Sequence, residues 1–245
     1  YKSNNMSISK TEIKKFTLLN RKSKRKELGL FIVEGEKICL ELIKSNIIIE
    51  AIYATKKLIE KFPTAQECTE KELSRISKLK NNSEVLAICK IPPKSKYIDD
   101  QKPILYLDNI SDPGNLGSIL RSLDWFGYKQ VFCSKETVDQ YNNKAVMASM
   151  GSIFRVKIFH LDFNDFKKKF HNHTIYIADI KGENIDSTKF IQNSIIVIGN
   201  ESNGVSEDIK KQSNRNFKIP GFGFAESLNA GVATGIILQE LSKNI

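Results

Sequence analysis

Read for hydrophobic spacing alone, the chain becomes regular from residue 103 onward. Short apolar runs at 104–107, 130–133, 154–159, 175–178, 195–198 and 217–219 alternate with stretches at 116–126, 142–150, 163–170, 207–212 and 228–241, where apolar residues recur every three or four positions. A run such as Ile195-Ile196-Val197-Ile198 is apolar at successive positions, as a strand buried on both faces requires. Strands alternating with helices predict a mostly parallel α/β sheet covered on both sides, with ligands beyond the carboxyl ends of its strands. The loops after Leu107, Ile198 and Ile219 are therefore the expected places for a site.

The first ninety residues read differently. A helical start (Ile13, Phe16, Leu19) leads through a basic run to an apolar strand at 30–33. A helix follows at 34–44, with Ile38, Leu42 and Ile43 on one face, and strands are expected near 47–54 and 85–91. The segment Pro92-Pro93-Lys94-Ser95-Lys96 breaks both periods and reads as a linker. The expected architecture is a small mixed α/β domain over residues 1–97, linker included, and a mostly parallel α/β domain over 98–245.

Composition adds a partner to this picture. The chain of 245 residues carries a formal net charge of +10, with eight basic residues between positions 10 and 26 against the single acid Glu12. A local surplus of that kind suits a polyanion, and Arg21, Lys22, Lys24, Arg25 and Lys26 are the candidate RNA contacts. No apolar run reaches the roughly 18–20 residues that cross a bilayer, and the polar start lacks a signal peptide's apolar stretch. A cytoplasmic placement without membrane attachment is expected. Cys39, Cys68, Cys89 and Cys133 lack metal or redox spacing and read as reduced core thiols. His171 and His173 lie in a charged stretch with no cysteine nearby, so no metal site is expected.

Three segments carry candidate chemistry. In 107–121, Asp112-Pro113-Gly114 makes a turn, Asn115 is suited to cap the helix after it, and Arg121 shares a face with Gly117 and Ser118. In 195–206, a buried strand ends at Gly199 and gives a loop with one carboxylate, Glu201, before a helix starting at Ser206. In 218–235, Gly221 and Gly223 do not complete a dinucleotide loop. The helix after Ser227 bears Gly231 and Gly235, which together cost on the order of 2 kcal/mol in propensity. Close packing against a second backbone or a cofactor would offset that cost, and a plain helix–helix contact would do so as well.

Together the runs Asn-x-Gly-x-x-x-Arg from Asn115, Gly-x-Glu-x-x-Gly from Gly199, and Ser-Leu-Asn at Ser227 after Ile219-Pro220 resemble the signature motifs of the SpoU/TrmH family of SPOUT methyltransferases. The resemblance covers residues 103–245. The stretch before Pro92, with Phe31-Ile32-Val33-Glu34-Gly35, is similar to the ribosomal-protein-like substrate-binding domain of many members. The resemblance implies a C-terminal trefoil knot and a homodimer with an active site built from both subunits. It also implies an S-adenosylmethionine-dependent methyl transfer to a ribose 2′-hydroxyl, releasing S-adenosylhomocysteine, with ribosomal RNA favoured over transfer RNA. Cofactor contacts carry over to Gly199, Ile219 and Leu228, with Ile198 and Asn200 beside them, and the catalytic set to Asn115, Arg121, Glu201, Ser227 and Asn229. In that set Arg121 engages phosphate and the developing charge on the 2′-oxygen, Asn115 and Glu201 orient its guanidinium, and Ser227 and Asn229 hold substrate. Asn200 stands where serine is common, and Ala230-Gly231 where Val-Ser is common. A non-catalytic RNA-binding or ribosome-assembly protein and a base-directed methyltransferase of a related knotted branch are the alternatives.

Overall fold

The structure, a computed structural model, describes residues 8–77, 83–97 and 102–243. It divides into two compact units, and the division is not a single cut in the chain. The first unit holds residues up to Lys94 and also Tyr141–Phe154; the second holds Ser95–Gln140 and Arg155–Ile245.

In the first unit, α1 (Lys10–Thr17), α2 (Lys22–Leu28), β1 (Leu30–Glu34), α3 (Glu36–Ile43), β2 (Ile49–Thr55), β3 (Gln66–Cys68), α4 (Glu70–Ile76) and β4 (Val85–Lys90) follow one another. The sheet order is β1-β4-β2-β3, antiparallel except for the β2–β3 pair. Reciprocal capping boxes start two of the helices, Ser9 with Glu12 at α1 and Thr69 with Glu72 at α4. Gly29, left-handed at φ 64°, ends α2 and turns the chain into β1. Phe16, Leu19, Ile32, Tyr53, Leu73 and Leu86 are among the residues that close the core.

The basic run, read from the sequence as a charged stretch, forms α2, and this changes the role of one of its residues. Arg25 is only 3% exposed, and its Nη1 donates to the Leu19 carbonyl at 2.7 Å. It is a core arginine and leaves the set of surface phosphate contacts. Arg21, Lys22 and Lys26 are exposed, whereas Lys24 pairs with Glu27 at 2.7 Å.

The second unit contains β5 (Ile104–Leu107), α5 (Pro113–Trp125) and β6 (Gln130–Cys133). The helix α6 (Asn143–Ala148) lies in the first unit, not in the second as the sequence suggested. Its Ala145 and Val146 are buried, it packs on β1, and Tyr141 just before it lies 4.6 Å from the ring of Phe31. The chain then re-enters the second unit with β7 (Lys157–His160), α7 (Phe163–Lys169), β8 (Thr174–Asn184), β9 (Ser194–Ile198), α8 (Glu207–Lys210), β10 (Arg215–Lys218) and α9 (Ala230–Ser242). Its six strands are all parallel, in the order β10-β8-β9-β5-β6-β7. Strands β6 and β9 are buried throughout, which accounts for their unbroken apolar sequence.

All four cysteines are free and buried. Burial pushes the thiols of Cys39 and Cys68 up to about 12, and those of Cys89 and Cys133 higher still, so they behave as apolar core atoms. Among the described residues, no helix is long and apolar enough to cross a membrane.

Candidate active site

The ends of the neighbouring strands β5 and β9 carry two loops that are fastened to each other. The Asp108 carboxylate, 6% exposed at the end of β5, accepts the backbone N–H of Ser206 at 2.7 Å. The Asn200 side chain after β9 donates to the Asn109 carbonyl at 3.0 Å and to Ser111 Oγ at 3.2 Å. Its Oδ1 accepts from the backbone N–H groups of Ser202 and Asn203, and its main chain exchanges two hydrogen bonds with Gly204. Gly204 makes this turn at φ 66°, and a Cβ on Gly199 would sit 2.2 Å from the Gly204 carbonyl carbon. Only glycine fits at 199.

The first helix of the site starts one turn earlier than the sequence reading had it. Asp112 is the N-cap of α5, accepting from Asn115 N–H at 2.9 Å, with Pro113 at the first helical position. An aspartate before proline is a strong start signal, and it outranks Asn115. The consequence matters for the site, because the Asn115 side chain, relieved of capping, can reach other partners.

Those partners are Glu201 and Asn229. Asn229 is the N-cap of α9: its Oδ1 accepts from the N–H groups of Gly231 and Val232. That forces its amide nitrogen outward, where it donates to Asn115 Oδ1 at 2.7 Å. Asn115 must then present its own nitrogen to Glu201 Oε1, and the two are in hydrogen-bond contact. Each amide orientation follows from the previous one, and the chain runs from the α9 N-terminus to a carboxylate. Three residues far apart in sequence thus form one unit.

Arg121 is not part of it. Asn115 lies six residues back, about 9 Å along the helix axis. Arg121 is exposed and has no hydrogen bond or ion pair among the described residues. The expected orientation of its guanidinium by Asn115 and Glu201 is therefore not what the structure shows, since Glu201 Oε1 is taken by Asn115. Ser227 is likewise exposed and unpartnered.

One glycine of α9 has a packing cause. A Cβ on Gly231 would lie 3.0 Å from Ser118 Cβ, and one on Gly235 would lie 3.9 Å from Ser122 Oγ. The helix–helix contact between α5 and α9 thus accounts for Gly231, whereas a methyl at Gly235 would make only an ordinary contact. Of the residues carried over as cofactor contacts, Ile198 is buried at the end of β9, Asn200 spends its side chain on the loop, and Leu228 is exposed. From Ile219 to Leu228 no residue makes a hydrogen bond to any described residue. Phe222 and Phe224 within it are fully exposed, and a Cβ on Gly221 or Gly223 would meet nothing within 4 Å.

Asp108, Ser111 and Asp112 were not among the residues expected at the site. Asp112 was legible from Asp-Pro alone; Asp108 and Ser111 act through residues about ninety positions away, which spacing cannot reveal.

The family model described as SpoU rRNA Methylase matches residues 102–239, more than half of the chain, and that of the MRM3-like substrate binding domain matches residues 10–87. The chain is 25% identical over 243 residues to the 23S rRNA (guanosine(2553)-2′-O)-methyltransferase RlmP of Bacillus subtilis, covering 96% of this chain and 97% of that one. It is similar to the crystal structure of an AdoMet-bound rRNA methyltransferase from Sinorhizobium meliloti, with TM-score 0.85, 25% identity and 97% of each chain covered. A TrmH-family protein from Porphyromonas gingivalis gives TM-score 0.84 at 26% identity, covering 97% of this chain and 99% of that one. With its motif residues gathered around the ends of β5, β9 and α9 and the family model spanning most of the second unit, this chain belongs to the SpoU rRNA methylase family and is an RNA methyltransferase.

Proposed function

We propose that the protein transfers a methyl group from S-adenosylmethionine to a ribose 2′-hydroxyl of ribosomal RNA. The observation that carries this reading is the fixed Asn229–Asn115–Glu201 chain on the same helix pair as an unpartnered Arg121. Bound cofactor would supply an electrophilic methyl on sulfonium sulfur, and the protein's work is positioning and charge stabilisation. Main-chain groups of residues 219–228 have no partner among the described residues and suit a ligand held largely through backbone contacts, with Ile198 and Gly199 at the end of β9, two places along the sheet from β10. Arg121 is free to engage the RNA phosphate and the charge developing on the 2′-oxygen. A guanidinium stays protonated at working pH, so charge stabilisation is its assigned role. Glu201 keeps Oε2 open, without a partner among the described residues, for substrate or for Arg121 once RNA brings it in. Ser227 and Asn229 face substrate from the α9 start.

Ribosomal RNA over transfer RNA is supported by the full-length relative that methylates 23S rRNA. Arg21, Lys22 and Lys26 on the first unit would meet its phosphates. A trefoil knot is supported by the topology: α9 follows the edge strand β10 yet packs on α5, which follows β5 three places along the sheet. A homodimer is supported by exposed Trp125 on α5 and exposed Val232 and Ile236 on α9. The absence of a membrane-crossing helix among the described residues is consistent with the cytoplasm, where ribosomal RNA is found.

The test is single-turnover methyl transfer to total ribosomal RNA, with mass-spectrometric mapping of the product. Wild type should yield one ribose 2′-O-methyl site. Arg121→Ala should abolish transfer and leave S-adenosylmethionine affinity within a few-fold of wild type. Methylation on a base, or tight RNA binding with no transfer, would overturn the assignment.

A further inference from the structure

One buried acid in the first unit has no part in this chemistry. Glu34, the last residue of β1, is 2% exposed, and its Oε2 has no hydrogen-bond partner. Its Oε1 accepts from Asn143 Nδ2 at 3.2 Å, across 109 positions of sequence. Asn143 is the first residue of α6, and its Oδ1 is also buried without a partner. The two orphaned atoms therefore belong to the two side chains that already share one hydrogen bond, and both are acceptors. With Glu34 ionised, two buried acceptors would stay without a donor, which is expensive in a protein interior.

We infer that Glu34 and Asn143 form a cyclic acid–amide pair, with Asn143 Nδ2 donating to Glu34 Oε1 and a proton on Glu34 Oε2 donating back to Asn143 Oδ1. One proton satisfies both orphaned atoms. The pair clasps α6, whose chain reaches the first unit only at Tyr141 and leaves it at Phe154, onto β1. Asn20 continues the network: its Oδ1 accepts from Asn143 Nδ2 at 3.1 Å, and its Nδ2 donates to the Thr17 and Ile76 carbonyls.

The surroundings favour the proton. Burial raises the Glu34 carboxyl above its ordinary 4.5, and hydrogen bonds from Ser77 and Asn143 counter this only in part. From α3 comes the Cys39 thiol, itself held up at about 12 by burial and by the Glu34 charge, and neutral. From α2, Arg25 directs Nη1 to the Leu19 carbonyl. β4 pairs Leu86 with Glu34, and α6 brings Asn143. Because folding raises the carboxyl's hold on its proton, the native chain carries more protons than the unfolded one above pH 4.5. The clasp's contribution is complete below that pH and is lost as pH rises through the folded value. It thus opposes the usual acid destabilisation and makes the seat of α6 sensitive to pH.

The test uses the full chain. The Glu34 carboxyl carbon, followed by isotope-edited NMR on wild type, should titrate above 4.5. In urea, Glu34→Gln should unfold at higher denaturant than wild type at pH about 8, because its amide donates to Asn143 Oδ1 without needing a proton. The difference between the two should shrink as pH falls toward the carboxyl's ordinary 4.5, below which the wild-type clasp is complete. Asn143→Ala should lower the midpoint at both pH values, and in its background Glu34→Gln should bring no gain at the higher pH, because the acceptor Asn143 Oδ1 is gone. A Glu34 that titrates at or below 4.5, or a glutamine variant less stable than wild type at the higher pH, would overturn the inference. If the glutamine variant does not fold, the wild-type titration decides it.

Discussion

Residues 199–206 and 219–229 both leave the carboxyl end of a parallel strand, both contain glycine, and both belong to the family's motifs, yet they are built in opposite ways. The first is closed upon itself: Asn200 alone makes four side-chain hydrogen bonds, Ser206 is pinned by Asp108, and Gly199 touches the backbone of Gly204. The second is open as far as Leu228, with no hydrogen bond to any described residue until Asn229 caps α9. A site that must bind a ligand through its main chain needs both kinds of loop. One is preorganised by the protein and fixes where Glu201 stands; the other keeps its N–H and C=O groups for the ligand. The same residue type, glycine, serves tight contact in one and open space in the other.

The largest effect expected from this contrast is that of Gly199→Ala. Its Cβ would have to occupy a place 2.2 Å from the Gly204 carbonyl carbon, and backbone on both sides leaves no flexible side chain to give way. A loss of about 3 kcal/mol in unfolding free energy is expected, together with loss of transfer, since Glu201 rides on the displaced loop. Urea unfolding of the variant measures the first, and single-turnover assays the second. A variant of wild-type stability would mean that the loop is looser than its hydrogen bonds imply.

Asn200→Ala should cost less. It removes four hydrogen bonds in a partly exposed setting and would lower stability by about 1 to 2 kcal/mol. Proteolysis should then open the chain first within residues 199–206, a site resistant in wild type. Cleavage that instead began in 219–228 in both proteins would sharpen the contrast between the loops, while equal resistance everywhere would remove it.

Much of this scaffold was legible in the sequence, and the exceptions have physical causes. The apolar runs mark β5, β6, β9 and the buried start of β8 because strands buried on both faces cannot hide their composition, while the exposed remainder of β8 carries no such signal. The β10 strand, begun at 217 by its apolar residues, starts at Arg215, whose side chain lies exposed and carries no apolar signal. Helix α2 and the β3–α4 pair went unread because charged residues dominate them. The burial of Arg25 contradicts its composition and depends on the Leu19 carbonyl. Within the site, the motif identified Asn115, Glu201 and Asn229 as a set, but only coordinates reveal that they bond to each other and leave Arg121 aside. Asn200, read as a neighbour of the cofactor, holds the loop together, a role whose partners Asn109 and Ser111 lie about ninety residues away.

At the hinge between the open loop and α9, Asn229 has two tasks that can be separated. Alanine there removes both the cap and the bridge to Asn115, and should cost about 1 kcal/mol. Serine caps as well as asparagine but has no amide to reach Asn115 Oδ1. Asn229→Ser should therefore keep stability within a few tenths of a kcal/mol of wild type while transfer falls. If serine kept full transfer, the amide bridge would be structural only, and Glu201 would be held by the closed loop alone.

The smallest effect, and the one of opposite sign, is that of alanine in the open loop. At Gly221 a Cβ would meet no atom within 4 Å, and the residue is outside the left-handed region, so alanine is admitted without strain. Substituting glycine where alanine fits restricts the unfolded chain, and a gain of about 0.5 kcal/mol is expected if residues 219–228 hold this conformation without ligand. No gain would mean that the segment is ordered only when bound, because entropy removed from a loop that stays loose contributes nothing. Cofactor affinity decides what the open space is for. If main-chain groups there hold S-adenosylmethionine, the added methyl stands where the ligand must approach, and calorimetry should show weaker binding at unchanged or higher stability. Gly199→Ala, in contrast, should lose binding only along with the fold. A Gly221→Ala protein destabilised as strongly as Gly199→Ala would show that something packs against this segment in solution, with the exposed Phe222 and Phe224 its first points of contact, and the open loop would then be an interface between two copies of the chain.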